Sequence, residues 1–415
     1  MKARSSPDLQ WAANDTWHVP YQVFTDPALF QLEQDRIFRG PTWNYVGLEA
    51  EVPEPGDFQS SWLGTTPVVV VRDRQGSIRV LVNRCAHKGA TVVRDGRGNA
   101  SVFRCLYHDW SYALDGRLKG VPFQKGVNGL PGYEEPDCLR DAAMQSLQVG
   151  TLNGVIFASF RDDVPPLSDY LGVTLRHFTR VFDGRPLEIL GYLTERIRAN
   201  WKLYFENTKD PYHAGLMHHF HSTFGLLRPN MRGEVTVASS GAAVVVSHAG
   251  SDSDPGQAHR RGDITTNGNS RALQAPELLD FEWEYGDRIT NAIHTIFPSV
   301  VTHQIGNSIA TRRIVPLSVD SFELHWTFVG YRDDDTARRQ RRIRQANLVG
   351  PSGFISLEDV EALEVLQRAI ADGSGHRSIT AMGGTTVEVD TSVEGLINEN
   401  AVRALWCRWR QLMGV

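Results

Sequence analysis

Cysteine is scarce in this chain: Cys85, Cys105, Cys138 and Cys407 are the four among 415 residues. So few thiols exclude a disulfide-stapled scaffold and suit a reducing compartment. Basic charge is not in excess. The 43 Lys and Arg face 48 Asp and Glu, a formal net charge of −5, which argues against a nucleic-acid or membrane-surface binder. The longest apolar runs, residues 67–71 and 242–246, have the length of a strand and fall well short of a membrane span. Met1-Lys2-Ala3-Arg4 leads into polar residues rather than an apolar signal core, so a cytoplasmic protein is expected. Internal repeats and low-complexity tracts are missing. So is a Gly-x-Gly-x-x-Gly fingerprint after a strand, which places any nicotinamide site on another protein.

What is present is a chain long enough for two domains, with an ordinary hydrophobic fraction of 41%. Residues 1–20 read as an irregular polar arm. Asp26-Pro27 opens a helix to about Phe38, with Pro at a first-turn position and Gly40 closing it. From residue 42 to about 160 the pattern changes to short strands, such as 68–71 and 78–82, punctuated by Gly and Asp-Gly. Asp162-Asp163-Val164-Pro165-Pro166 is a linker signal. Beyond it the pattern predicts a helix over 167–182, a strand over 189–198 and a helix from Asn200-Trp201. Antiparallel strands follow over 296–301, 308–315 and 323–331. Helices are expected over 334–348, 357–370 and 397–412, the middle one acidic at its start, where the helix dipole favours acids. The last should turn Leu405 and Trp406 inward. The arginines Arg338, Arg339, Arg341, Arg342 and Arg344 read as a solvated helix face. Residues 249–271 are polar and Gly-rich, a surface-loop signal. The expected fold is α+β, with an N-terminal arm and helix over 1–40, a small all-β domain over 41–162, and a larger domain over 163–415 with an antiparallel sheet surrounded by helices.

Two clusters carry chemistry. Cys85-x-His87 and Cys105-x-x-His108 each pair one thiol with one imidazole, with 17 residues between His87 and Cys105. They suit either a Cys2His2 zinc site or a Rieske-type [2Fe-2S] cluster, in which two cysteines hold one iron and two histidines the other. Like ligands are usually grouped in zinc knuckles, whereas here each loop supplies one of each, which favours two irons. Cys138 and Cys407 are left over and read as buried or idle thiols. The second cluster holds Asp210, His213, His218, His219 and His221 within twelve residues. Two histidines and a carboxylate are the ligand set for non-heme Fe(II) oxygen chemistry. On an ideal helix His213 and His218 stand about 140° apart and His218 and His221 about 60°. The first pair needs a break, which Gly215 can supply, so periodicity alone does not choose between the pairs.

Taken together, these clusters resemble the large (alpha) subunits of Rieske non-heme iron aromatic-ring-hydroxylating oxygenases. The resemblance runs in order over nearly the whole chain: the cluster motif at Cys85 to His108, then Asn200-Trp201-Lys202, Glu206-Asn207 and Asp210-x-x-His213-x4-His218, then Gly350-Pro351-Ser352-Gly353 and Asp359. Lys88 departs from the family's usual arginine. By carry-over, Cys85, His87, Cys105 and His108 hold the [2Fe-2S] cluster, and His213, His218 and Asp359 hold mononuclear Fe(II), with Glu358 the rival third ligand. Asn207 and Asp210 count with the catalytic residues, Asp210 as a bridge between His213 and the His108 of a neighbouring subunit. His219 and His221 have no assigned role. The resemblance also implies O2 as co-substrate, NAD(P)H used by a separate reductase with or without a ferredoxin, and a head-to-tail homotrimer or an α3β3 assembly with a small beta subunit.

Within the family the chain looks most like oxygenases of aromatic acids, the terephthalate, salicylate and anthranilate types. A carboxylate substrate calls for a cation in an apolar pocket, and Arg312 is the candidate. Arg313 should point to the other face of the strand. Pocket-lining residues are expected over 216–227, 292–309 and 354–365. Two other classes compete: an electron-transfer Rieske protein, which leaves more than half the chain without a task, and a zinc-stabilised non-catalytic protein, which leaves the second cluster unexplained.

Overall fold

The computed structural model describes residues 9–135, 137–224, 231–248, 275–278, 280–372 and 375–415; the loop read over 249–271 lies outside them. The chain divides into two compact units, residues 38–164 and residues 1–37 with 165–415.

The smaller unit is all β, as expected. A four-stranded antiparallel sheet runs in the order Ile78–Val82, Thr66–Arg72, Asp57–Leu63, Arg97–Asn99. Three-stranded sheets are built from Gln148–Leu152, Val155–Ser159 and Asn44–Leu48, and from Phe103–Arg104, Ser111–Tyr112 and Leu118–Gly120. Val69, Val71 and Leu81 join Phe103, Trp110 and Tyr112 in one core, and Cys85 and Cys105 belong to it. The thiols therefore sit at loop bases sealed by apolar side chains.

The larger unit centres on an eight-stranded antiparallel sheet. Its order is Leu187–Ile197, Ser321–Tyr331, Ser308–Ser318, Val300–Ile305, Ile289–Ile296, Ala243–His248, Gly233–Val237, Thr391–Glu394. The expected strand over 296–301 is instead a turn, Phe297-Pro298-Ser299, between two strands that pair Ile296 with Val300. A proline without an N–H fits that turn better than the sheet interior. The expected helix over 167–182 breaks at Gly172, whose φ of +50° disfavours any side chain. Helix Asn400–Met413 buries Leu405 and Trp406, as its pattern requires. Glu33, from the N-terminal helix Pro27–Glu33, is fully buried and pairs with Lys202 at 2.7 Å while accepting from the Trp201 and Trp409 indoles.

The arginine run is not a uniformly solvated face. On helix Thr336–Val349, Arg342 is wholly buried between Asp334 and Glu284 and donates to the Asn307 carbonyl at 2.7 Å. Amphipathic counting cannot see acids supplied by distant segments. Cys138 is exposed and Cys407 half-buried, both free.

Two candidate metal centres

The two cysteine loops share one backbone plan. The Cys85 N–H donates to the Ala90 carbonyl and the Gly89 N–H returns to Cys85; likewise Cys105 N–H reaches Trp110 and Asp109 N–H returns to Cys105. The residue four past each cysteine takes a positive φ, +77° at Gly89 and +53° at Asp109. Asn83 pins the first loop by accepting from the Val92 and Val93 N–H groups and donating to the Val93 carbonyl. Both thiols are buried, His108 is exposed, and the two imidazoles lie 4.5 Å apart. His87 stacks on Trp110, and its buried Nδ1 has no hydrogen-bond partner among the described residues. The Tyr112 hydroxyl accepts from the Ala86 N–H at 3.0 Å, so its own proton points to Cys85 Sγ at 3.1 Å.

A single tetrahedral zinc would need four donor atoms mutually close. Among the described residues, only His213, His218 and Asp359 gather three donors within 4.8 Å of one another. The four Cys and His donors do not converge on one point. Two buried thiols and two neighbouring imidazoles, with no three of the donors gathered as one zinc requires, fit a two-iron cluster better than one zinc ion.

In the larger unit, local sequence explains the second centre. Asn200 caps helix Trp201–Lys209 by accepting from the Lys202 N–H. Asp210 ends that helix and caps the next, Pro211–Met217, through the Tyr212 N–H at 2.8 Å, with Pro211 at the favoured first position. The break between His213 and His218 falls at His218 itself, not at Gly215. His218 is extended (φ −74°, ψ 96°) between Pro211–Met217 and helix His219–Phe224. Its φ is still helical, so its ψ redirects only the chain that follows, and the two imidazoles meet through their reach with Asp359 between them. His213 Nε2 and His218 Nε2 then lie 3.6 and 3.5 Å from the same Asp359 oxygen.

Helix Phe354–Ala369 starts three residues before the sequence expectation. Glu358 and Asp359 are therefore not in its first turn, and the dipole does not explain them. They serve the site. Asp359 is buried and faces both histidines. Glu358 is no ligand in this arrangement: its carboxylate takes the His218 Nδ1 proton at 3.0 Å and the His219 N–H at 3.2 Å. Asp210 stands 3.4 Å from His213 Nδ1. The Glu358 bond fixes the His218 tautomer from behind and leaves its Nε2 lone pair for a metal, whereas Asp210 faces His213 Nδ1 across a longer gap. Asn207 donates to Asp359 at 3.0 Å and lies 3.4 Å from His213 Nε2. Burial works against the Asp359 charge, but the His213 and Asn207 contacts and the His218 potential outweigh it and hold the carboxyl below its usual range.

A cavity opens at this centre. One face of the sheet forms its floor through Val245, Ser247, Asn291, Ile293, Ile305 and Arg312; Pro211, Ala214, His221, Ile355 and Leu396 complete the walls. Arg312 is 5% exposed. It donates to His303 Nδ1 at 2.9 Å and the Tyr204 hydroxyl at 3.0 Å and lies over the Trp326 ring. Arg313 takes the other face, beside His325, and is buried there as well, because both faces of this sheet are covered. The sequence reading missed Val245, Ser247, Asn291 and Leu396. Strand alternation pairs Val245 with Ser247 on one face, but nothing local says that this face borders a cavity.

One candidate electron-carrying centre and one candidate oxygen-activating centre in the same chain are the equipment of an iron-dependent oxygenase supplied with electrons from outside. Residues 42–133 match the Rieske [2Fe-2S] domain, and residues 179–414 match the ring hydroxylating alpha subunit catalytic domain. The chain belongs to the alpha-subunit family of Rieske ring-hydroxylating oxygenases. It is 42% identical to the anthranilate 1,2-dioxygenase large subunit of Burkholderia cepacia, over 98% of this chain and 96% of that one. It is 41% identical to a terephthalate 1,2-dioxygenase terminal oxygenase alpha subunit of Comamonas sp, over 98% of both, and 40% identical to the salicylate 5-hydroxylase large oxygenase component of Ralstonia sp, over 98% and 97%. Among solved structures, naphthalene 1,2-dioxygenase from Rhodococcus sp superposes with a TM-score of 0.79 at 25% identity, covering 95% of this chain and 94% of that one. The cofactors are accordingly a Rieske [2Fe-2S] cluster and mononuclear iron, with O2 as co-substrate and a separate reductase. No helix among the described residues is long and apolar enough to cross a membrane.

Proposed function

We propose that this oxygenase acts on an aromatic carboxylic acid and that Arg312 anchors the carboxylate. The observation that carries this reading is the state of Arg312: a buried guanidinium lining the cavity, with no carboxylate within 4.0 Å among the described residues. Glu195 acts on this charge only through the field, a buried charge with no carboxylate in contact is costly, and an acid substrate supplies that contact in bidentate form. His303 and Tyr204 hold the fork from behind. Val245, Ile293, Ile305, Ile355 and Leu396 offer apolar contact to a ring. The high identity to relatives named for anthranilate, terephthalate and salicylate agrees with an acid.

In this reading His213, His218 and Asp359 hold the Fe(II), and Cys85, His87, Cys105 and His108 hold the cluster. When bound, the cluster supplies single electrons and the iron binds and activates O2. The chain's own contribution is positional. Glu358 holds the Nδ1 proton of His218, Asp210 faces His213 Nδ1 at 3.4 Å, and Asn207 steadies the Asp359 carboxylate. Asp210 also bridges to the cluster histidine His108 of a neighbouring subunit in a head-to-tail trimer, with or without a small beta subunit. Residues 1–40, 41–162 and 163–415 act as arm, electron-accepting domain and catalytic domain. Dioxygenation is the favoured outcome. Turnover with benzoates, hydroxybenzoates, aminobenzoates and phthalates, using a reconstituted reductase, tests the reading. Oxidation of an acid supports it; oxidation of uncharged arenes alone refutes it.

A further inference from the structure

Three buried polar atoms lining the cavity have no hydrogen-bond partner among the described residues: His213 Nδ1, which faces Asp210 at 3.4 Å, and, with no acid beside them, His221 Nδ1 and Ser247 Oγ. His221 is 6% exposed and Ser247 2%. They reach the cavity from different elements. His221 stands on helix His219–Phe224, one turn beyond His218, and Ser247 on strand Ala243–His248, opposite Asn291 in the register. A buried polar group left without a hydrogen bond costs about 1–3 kcal/mol, and native interiors rarely leave two on one wall. A wall built for plain hydrocarbon has no use for either.

We propose that His221 and Ser247 form a second polar subsite, which recognises a neutral hydroxyl or amino substituent on the ring of the acid held by Arg312. The inference rests on that acid reading. Charge selects the substituent. Among the described residues, Arg312 is the one arginine or lysine lining the cavity, alongside the carboxylates Asp210 and Asp359. A second carboxylate on the ring would find no further cation among these residues and would meet Asp210 and Asp359 instead. A hydroxyl or amine can both donate and accept, matching a serine hydroxyl and an imidazole nitrogen. The substrate class is therefore an aromatic monocarboxylic acid carrying one such group. His221 and Ser247 are specificity-determining residues, since a site built to hydrogen-bond a substituent discriminates strongly against the analogue that lacks it.

The test is equilibrium binding by calorimetry to the assembled, oxidised protein without turnover. The ligands are benzoate, the three hydroxybenzoates, the three aminobenzoates and terephthalate. At least one hydroxy or amino isomer should bind roughly tenfold more tightly than benzoate. Ser247→Ala and His221→Leu should each cut that preference to about threefold or less, with iron content measured in parallel. Because His221 adjoins a metal ligand, Ser247→Ala alone decides if His221→Leu loses iron. Benzoate binding as tightly as every isomer, terephthalate binding tightest, or a preference that survives Ser247→Ala would overturn the subsite. If instead no acid binds, or Arg312→Gln leaves acid binding intact, the failure lies in the acid reading and takes the subsite with it.

Discussion

Glu358 and His218 meet at 3.0 Å, carboxylate to Nδ1, so the acid next to the candidate ligand Asp359 grips the back of a histidine instead of the metal. Adjacent residues on one helix point about 100° apart, which lets one carboxylate face the ligand cluster and the other stand behind it. Removing such a rear contact weakens metal affinity by about 10–100-fold. Glu358→Ala should therefore retain the cluster's visible absorption and lose mononuclear iron on dialysis far more readily than the wild type. Asp359→Ala should not hold that iron at all. Iron and sulfide analysis checks both, and an Asp359→Ala protein with full mononuclear iron would remove Asp359 from the ligand set.

Asp210 does two jobs that one substitution separates. One oxygen caps helix Pro211–Met217 and the other faces His213. Asparagine caps a helix as well as aspartate does but is neutral. Asp210→Asn should keep the fold and both metals, yet stop electron transfer between them. Single-turnover oxidation of the reduced cluster, followed by electron paramagnetic resonance, reads this directly. Full turnover in the variant would refute the bridging role.

Arg312→Gln keeps a hydrogen-bonding side chain and removes the charge. Acid binding should weaken by roughly 30-fold or more, as expected for loss of one partner of a buried ion pair. Binding of a neutral arene such as indole should change little. Equal weakening of both ligands would mean that Arg312 supports the cavity rather than the carboxylate.

Acid should destabilise the larger unit through buried imidazoles remote from the metals. Burial, reinforced by nearby cations, pushes His294 down to about 3 and His177 down to about 4. Both folded values lie below the unfolded one near 6.5. The unfolded chain therefore takes up protons first as pH falls. Stability is complete above about pH 6.5 and declines through the window down to pH 3–4, at about 1.4 kcal/mol per pH unit for each histidine. Denaturant titrations between pH 7 and pH 4.5 should show the decline, and His294→Gln should reduce its slope. A pH-independent midpoint would contradict the assignment.

The two candidate clusters stood out because Cys85 to His108 and Asp210 to His221 lie in short runs whose residue types are rare together, whereas Asp359 was named only by the family resemblance. The β unit was legible from strand alternation and turn residues. Less visible was anything decided by partners far apart in sequence. Arg342 looked solvated because Asp334 and Glu284 approach it only in the fold. Glu358 looked like a rival ligand because spacing cannot tell which side of a histidine an acid will meet. The cavity floor stayed hidden because Ser247 and Asn291 become neighbours only through strand pairing. Arg312 could be named from its strand, but its burial with no carboxylate in contact among the described residues could be seen only in the folded unit.

The central claim is that an aromatic acid, seated on Arg312, is what this oxygenase oxidises. Oxygen consumption by the metal-replete protein with reductase and NAD(P)H tests it most directly. The account predicts that uptake depends on added hydroxy- or aminobenzoate, matches product formed, and is lost in Asp359→Ala. Uptake that ignores every aromatic acid while responding to uncharged arenes would contradict it.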